Sequence, residues 1–185
     1  LFLHSEDIIV TSGGLDSLLN NLIKKNITKE VEEFISKMMK SFYDRFYFEI
    51  QRHNDPGEKY LENNLLSLSK KFKVPLIASQ EIFYISKDMF EAHDALLCIG
   101  QKTYVDEKNR KKFSDQHFIK NSDELENLYK DIPEAIENNY NFPLRFSYKL
   151  KKLQPNLPSI KISSNLSEND ELLSQSKIGL KNKLE

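Results

Sequence analysis

The chain has 185 residues, 39% hydrophobic and 30% charged, with twelve Phe, eight Tyr and no Trp, a balance that excludes a disordered chain and predicts a soluble globular core. Its 27 basic and 28 acidic residues leave a formal net charge of -1, so the chain lacks the positive excess that displaces counterions from a phosphate backbone and is a poor candidate for gripping DNA unaided. No run approaches the roughly 18 apolar residues of a membrane span, which makes a cytoplasmic setting the default. Ile8 to Thr11, a short β-branched run closed by Gly13 and Gly14, reads as a buried strand followed by a loop and then a helix.

From Thr28 to Tyr43 apolar residues recur at three- and four-residue steps through Val31, Phe34, Ile35, Met38, Met39 and Phe42, which predicts an amphipathic helix. Arg45 to Arg52 alternates, with Phe46, Phe48 and Ile50 on one face, as a strand does, and stops at the turn-forming cluster His53 to Gly57. Tyr60, Leu61, Leu65, Leu68 and Phe72 mark another helix, and Val74 to Ala78 a short strand beginning at Pro75. Ser86 is expected to cap a helix that runs through Ala92, Ala95, Leu96 and Ile99 and ends at Gly100. Cys98, the single cysteine, lies in the apolar run Ala95 to Ile99; it excludes an internal disulfide and a cysteine-built zinc site and reads as packing.

Alternating strands and helices predict an α/β sheet or barrel of parallel strands, with any ligand at the carboxyl ends of the strands. Beyond Gly100 a polar stretch leads to helices at Ser122 to Asp131 and Pro133 to Tyr140, the second with proline in its first turn. Lys149 to Asn169, with Pro155 and Pro158, reads as a linker, and Glu171 to Leu184 resumes a weak helical period. The start at Leu1 reads as a cut end.

RFYFEIQRH at Arg45 to His53 and FEAHDALLCIGQKTYVDEKNRKKF at Phe90 to Phe113, together with the spacing between them, resemble the alpha subunit of bacterial DNA polymerase III. FIKNSDELENLYKDIPEAIENN at Phe118 to Asn139 resembles the helical region that closes that family's PHP domain, named for polymerase and histidinol phosphatase. LPSI at Leu157 to Ile160 and IGLKNKL at Ile178 to Leu184 look like the passage toward the polymerase core. The Glu91 to Lys102 segment and the TYVDEKNR connection resemble the replicative form rather than its error-prone paralogue.

The resemblance implies a partial PHP-type, TIM-like β/α barrel followed by helices and a linker. Residues 1–148 would be the carboxyl-terminal part of the PHP domain, 149–170 a linker and 171–185 the start of the polymerase-core region. The parent would be a DNA-directed DNA polymerase, a nucleotidyltransferase of chromosome replication whose catalytic aspartates lie downstream. None of Asp7, Asp16, Asp94, Asp106 or Asp131 then takes that role, and the piece itself is non-catalytic. The implied partners are the rest of the alpha subunit, the proofreading exonuclease subunit, other replicase subunits and, through the full-length protein, DNA; no membrane is implied. The polymerase site elsewhere uses magnesium, and no cofactor is expected in this piece.

PHP domains resemble phosphoesterases that hold divalent metals with His, Asp and Glu at strand ends. The opening His-x-His motif of the family belongs upstream of Leu1. His53 follows a strand and matches a metal-ligand position, although a loop histidine beside Asn54 and Asp55 by itself reads as exposed. Metal-keeping relatives follow the strand at Leu76 to Ser79 with Asp-x-His, where this chain has Glu81, Ile82 and Phe83. A phenyl ring offers no lone pair, so the site, His53 and Glu81 included, is expected to be degenerate, with both residues facing one strand-end pocket. The alternative is an active metal-dependent phosphoesterase or 3′-5′ exonuclease; a free-standing binding module is a third reading. His93 reads as a helix-surface or interface histidine, and His117 and His4, in polar surroundings, receive no role. Ser12, Gly13 and Gly14 lack the phosphate-loop pattern and read as a turn.

Overall fold

The computed structural model describes residues 2–156, 158 and 167–184, which fall into two compact units, 1–147 and 148–185. In the first unit a strand β1 (Val10–Thr11) leads into helix α1 (Leu18–Lys24), whose first turn is capped by the Ser17 hydroxyl accepting from the Asn20 amide at 3.2 Å. Helix α2 (Thr28–Phe42) buries Val31, Ile35, Met38 and Phe42 along one stripe, as its periodicity requires.

Strand β2 (Phe46–Gln51) follows a single 3₁₀ turn, and helix α3 (Glu58–Phe72) begins at Gly57, whose φ of 97° is open to glycine at little steric cost. Strand β3 (Leu76–Ser79) completes a parallel sheet of order β1-β2-β3. Parallel pairing follows from the intervening helices, which carry the chain back to the same end of the sheet.

Phe46, Phe48 and Ile50 on one face of β2 are almost fully buried in a single core that takes in α1, α2, α3, β3 and the later residues Tyr129, Ile132 and Ala135. Each such side chain contributes about 1.5–3 kcal/mol of burial, and truncating Phe48 to alanine would cost about 3–5 kcal/mol through the cavity left behind. The other face of β2 carries Tyr47, Glu49 and Gln51. The Glu49 carboxylate there accepts from Thr11 Oγ1 at 2.7 Å, Gln51 Nε2 at 2.8 Å and Ser79 Oγ at 2.5 Å, so one acid stitches all three strands.

Helix α4 (Phe90–Gln101) follows a 3₁₀ turn at Lys87–Met89, and helices α5 (Ser122–Leu128) and α6 (Pro133–Asn141) come after an irregular stretch. Asn121 and Glu124 form a reciprocal capping box at the start of α5. Asn139 of α6 accepts from the Ala78 amide at 3.2 Å and donates to the Ala78 carbonyl at 2.6 Å, while Asn138 donates to the Leu76 carbonyl at 2.8 Å. Side-chain amides thus occupy the edge of β3 that faces away from β2 and satisfy backbone groups a neighbouring strand would otherwise pair.

Three local expectations are corrected. The first strand is two residues rather than four, because Asp7 takes a φ of 56° and the carbonyls of Ser5 and Ile8 turn to the Arg45 guanidinium instead of a ladder. Ser86 caps no amide; its hydroxyl donates to the Asp88 carboxylate, and the 3₁₀ turn intervenes before α4. That helix also runs past Gly100, and Lys102, with φ 54°, makes the left-handed exit.

The second unit contains helix α7 (Glu168–Leu184), with Ser167 Oγ accepting from the Asp170 amide at 3.2 Å at its start. The Leu157 to Ile160 part of the resemblance lies largely outside the described residues. Among the described residues no helix is long and apolar enough to cross a membrane. The structure is therefore mixed α/β, with a parallel sheet that does not close on itself among the described strands.

Candidate functional site at the strand ends

β2 delivers His53 just past its carboxyl end, where Asn54 (φ 64°) and Gly57 (φ 97°) turn the chain sharply into α3. The turn places Glu58, in the first turn of α3, against the residues before it. Its carboxylate accepts from the His53 backbone amide at 2.7 Å, from His53 Nδ1 at 2.9 Å and from the Asp55 amide at 3.2 Å. An acid at this position also meets the positive end of the helix dipole.

His53 Nε2 accepts from the Glu81 backbone amide at 3.0 Å. With Nδ1 donating to a carboxylate and Nε2 accepting from an amide, both ring nitrogens are committed and the tautomer is fixed. The ring is 2% exposed, so the expectation of an exposed loop histidine from local context is overturned: α3 and the segment after β3 close over it.

His117, assigned no role from sequence, is fully buried. Its Nδ1 lies 2.9 Å from the Glu81 carbonyl and its Nε2 2.9 Å from Asp55 Oδ2. Each ring nitrogen thus lies at hydrogen-bond distance from an oxygen supplied by another stretch of chain. The other Asp55 oxygen accepts from the Ser114 amide at 3.1 Å, and the Ser114 hydroxyl bonds the His53 carbonyl.

The rings are also stacked. His53 and His117 lie with centroids 4.2 Å apart and planes 5° from parallel; Phe83 stacks on His117 at 4.8 Å, and His93 on Phe83 at 5.1 Å. Phe83, expected only as a lost ligand, therefore sits in a column of rings, and His93, expected at the helix surface or an interface, is half-buried against it. The Glu81 carboxylate is about half exposed, with Oε2 3.9 Å from His117 Nδ1. His53 and Glu81 line the same cleft of about 400 Å³ with Gly13 to Ser17, Gln51, Asp55, Glu58, Lys111, Lys112 and Phe113.

Beside this cleft Arg52 is clamped from two sides. It donates from Nε and one terminal nitrogen to Glu62 at 2.9 and 2.8 Å, and to both oxygens of Asp131 at 2.6 and 2.8 Å. Its guanidinium lies 4.9 Å from the centroid of the buried Tyr129 ring, whose hydroxyl bonds the Ile50 and Ser79 carbonyls. The hydrogen bond from Arg52 holds the Asp131 carboxyl down at about 2, and burial pushes the Tyr129 phenol well above its usual range. Burial raises Glu62, but the bonds from Arg52 and Lys59 outweigh it and leave the carboxyl below its ordinary range.

Asp94, next to His93, makes two bonds of 2.6 Å to Arg110, and these hold its carboxyl below the ordinary range. The pair, with side chains 7% and 4% exposed, pins the connection after α4 onto that helix. Cys98 is buried in the same helix, as packing requires.

A divalent ion needs unprotonated nitrogen or carboxylate lone pairs that converge. Here both His53 nitrogens are bonded, both His117 nitrogens lie against oxygens, Asp55 and Glu58 are engaged by neighbouring amides and imidazoles, and Phe83 supplies no donor atom. Among the described residues no group of three or more His, Cys, Asp or Glu is placed to hold a metal ion. The residues present do not fit the group that the resemblance implies.

Sequence reasoning found His53, Glu81 and Phe83 but missed His117, Asp55, Glu58, Arg52 and Arg110. Glu58 had a local signal, an acid immediately after the Pro-Gly turn at a helix start. The partners of the others lie in distant stretches of chain.

No family model matches the chain. Among curated proteins, DNA polymerase III subunit alpha of Caulobacter vibrioides (strain NA1000 / CB15N) is 34% identical over 182 residues, 98% of this chain and 16% of that protein. DNA polymerase III subunit alpha of Rickettsia bellii (strain RML369-C) is 32% identical over 177 residues, 96% of this chain and 15% of that protein, and that of Pseudomonas fluorescens 29% over 181 residues, 97% and 15%. The chain thus spans about 15–16% of the length of these relatives.

Proposed function

We propose that this chain, homologous over nearly its whole length to one segment of the DNA polymerase III alpha subunits, works as part of the PHP domain of a replicative DNA-directed DNA polymerase. In this reading residues 1–148 are the carboxyl-terminal part of that domain, with the three parallel strands belonging to a TIM-like barrel. Residues 149–170 form a linker, and 171–185 open the polymerase-core region. The domain is a structural element that supports the polymerase core and docks the proofreading exonuclease subunit, and His53 and Glu81 are inherited metal positions without a metal role.

The observation that carries the polymerase assignment is the match itself, which runs along 98% of the chain. The non-catalytic role is supported by the commitment of both His53 nitrogens to Glu58 and Glu81. The test uses the purified full-length protein. Expected are primer extension on a primed template and no removal of a 3′ nucleotide in the presence of manganese or zinc. Metal-stimulated removal that His53→Ala abolishes would establish the phosphoesterase alternative instead.

A further inference from the structure

Carboxylates and imidazoles meet at the strand ends, yet among the described residues no three of them are placed to share an ion. The geometry shows another kind of cross-link. The column His53, His117, Phe83, His93 takes each ring from a different stretch of chain: in that order, the end of β2, the segment that precedes α5, the segment after β3 and helix α4. Consecutive centroids lie 4.2 to 5.1 Å apart, with planes 5°, 27° and 7° from parallel along the column.

Hydrogen bonds join the same stretches. The Glu81 amide donates to His53 and the Glu81 carbonyl accepts from His117, so one residue of the segment after β3 is held through both of its backbone groups. The Phe83 amide donates to the His117 carbonyl at 3.0 Å, and an isolated parallel bridge joins Tyr84 to Phe118. Asp55 then ties His117 and Ser114 back to the turn after β2. An ion entering here would have to displace the Glu81 amide from His53 and part His117 from the Glu81 carbonyl and Asp55, breaking the bonds that define the cluster.

We infer that the cluster is a metal-independent clasp, in which the stacked rings of His53, His117, Phe83 and His93 fasten the 79–86 and 113–118 segments to the carboxyl ends of β2 and β3. Phe83 is then a positioning residue in its own right. The inference stands on the ring and hydrogen-bond geometry and is independent of the polymerase assignment.

Hydrogen–deuterium exchange on the full-length protein tests it, read at the amides of Glu81, Phe83 and Tyr84. In wild type, EDTA and added manganese or zinc are expected to change exchange less than twofold. His117→Ala and Phe83→Leu are expected to speed it at least tenfold in both segments while leaving α2 unchanged, and Phe83→Tyr, which keeps the ring, to stay near wild type. Faster exchange on chelation would overturn the clasp, and so would Phe83→Leu protected like wild type. The wild-type chelation arm decides the matter even where a variant fails to fold, and neither overturning result touches primer extension.

Discussion

The backbone amide of Glu81 and the Nε2 atom of His53 meet at 3.0 Å, so a bond from the segment after β3 consumes the imidazole lone pair. Because Glu81 acts through its main chain and its carboxylate is about half exposed, Glu81→Ala should change unfolding free energy by less than about 0.5 kcal/mol. His53→Ala removes the acceptor for that amide and a donor to the buried Glu58, at a cost of about 2–4 kcal/mol. Urea midpoints of the two variants provide the comparison, and equal effects would contradict the geometry.

Arg52 should be the most sensitive charge in the first unit. Arg52→Ala leaves Glu62, 4% exposed, with Lys59 as its remaining cation, and should destabilise by about 3 kcal/mol. Asp131→Asn removes only the more exposed arm, 57% exposed, and should cost about 1 kcal/mol.

The pH dependence of that arm has a definite sign. The Asp131 carboxyl, held at about 2 by Arg52, lies below its unfolded value of about 3.9. Its contribution is therefore complete above about pH 4 and is lost as the pH falls through about 2. The stability gap between wild type and Asp131→Asn should close over that window, as measured by denaturant unfolding at stepped pH; a gap constant to pH 2 would contradict the assignment.

A Cβ at Gly14 would lie 2.1 Å from Gln51 Oε1, and Gln51 cannot swing away without losing its bonds to Glu49 and Ser79. Gly14→Ala should thus destabilise by about 1–2 kcal/mol. In the Gln51→Ala background the same substitution should cost much less, and a double-mutant cycle gives the coupling.

Asn139→Ala exposes the amide and carbonyl of Ala78 at the sheet edge. The expected cost is about 1–3 kcal/mol. The Ala78 amide should also exchange faster than that of Ile77, which faces the β2 side of the strand; equal acceleration of both would point to general loosening.

The sequence by itself determined the elements whose pattern is local. Val31, Ile35, Met38 and Phe42 recur within one helix, and Phe46, Phe48 and Ile50 alternate within one strand, because the 3.6- and 2-residue periods of the backbone dictate which side chains share a face. It also exposed Phe83 as a side chain unable to ligate. Tertiary structure alone decided the character of the strand ends. His117 finds Asp55 across 62 residues and Glu81 across 36, and Arg52 finds Asp131 across 79. No period links such pairs; chain return sets their burial and hydrogen bonding. For the same reason a histidine from a polar stretch lies at the centre of a ring column, and an expected four-residue strand is cut to two by an arginine some 40 positions away.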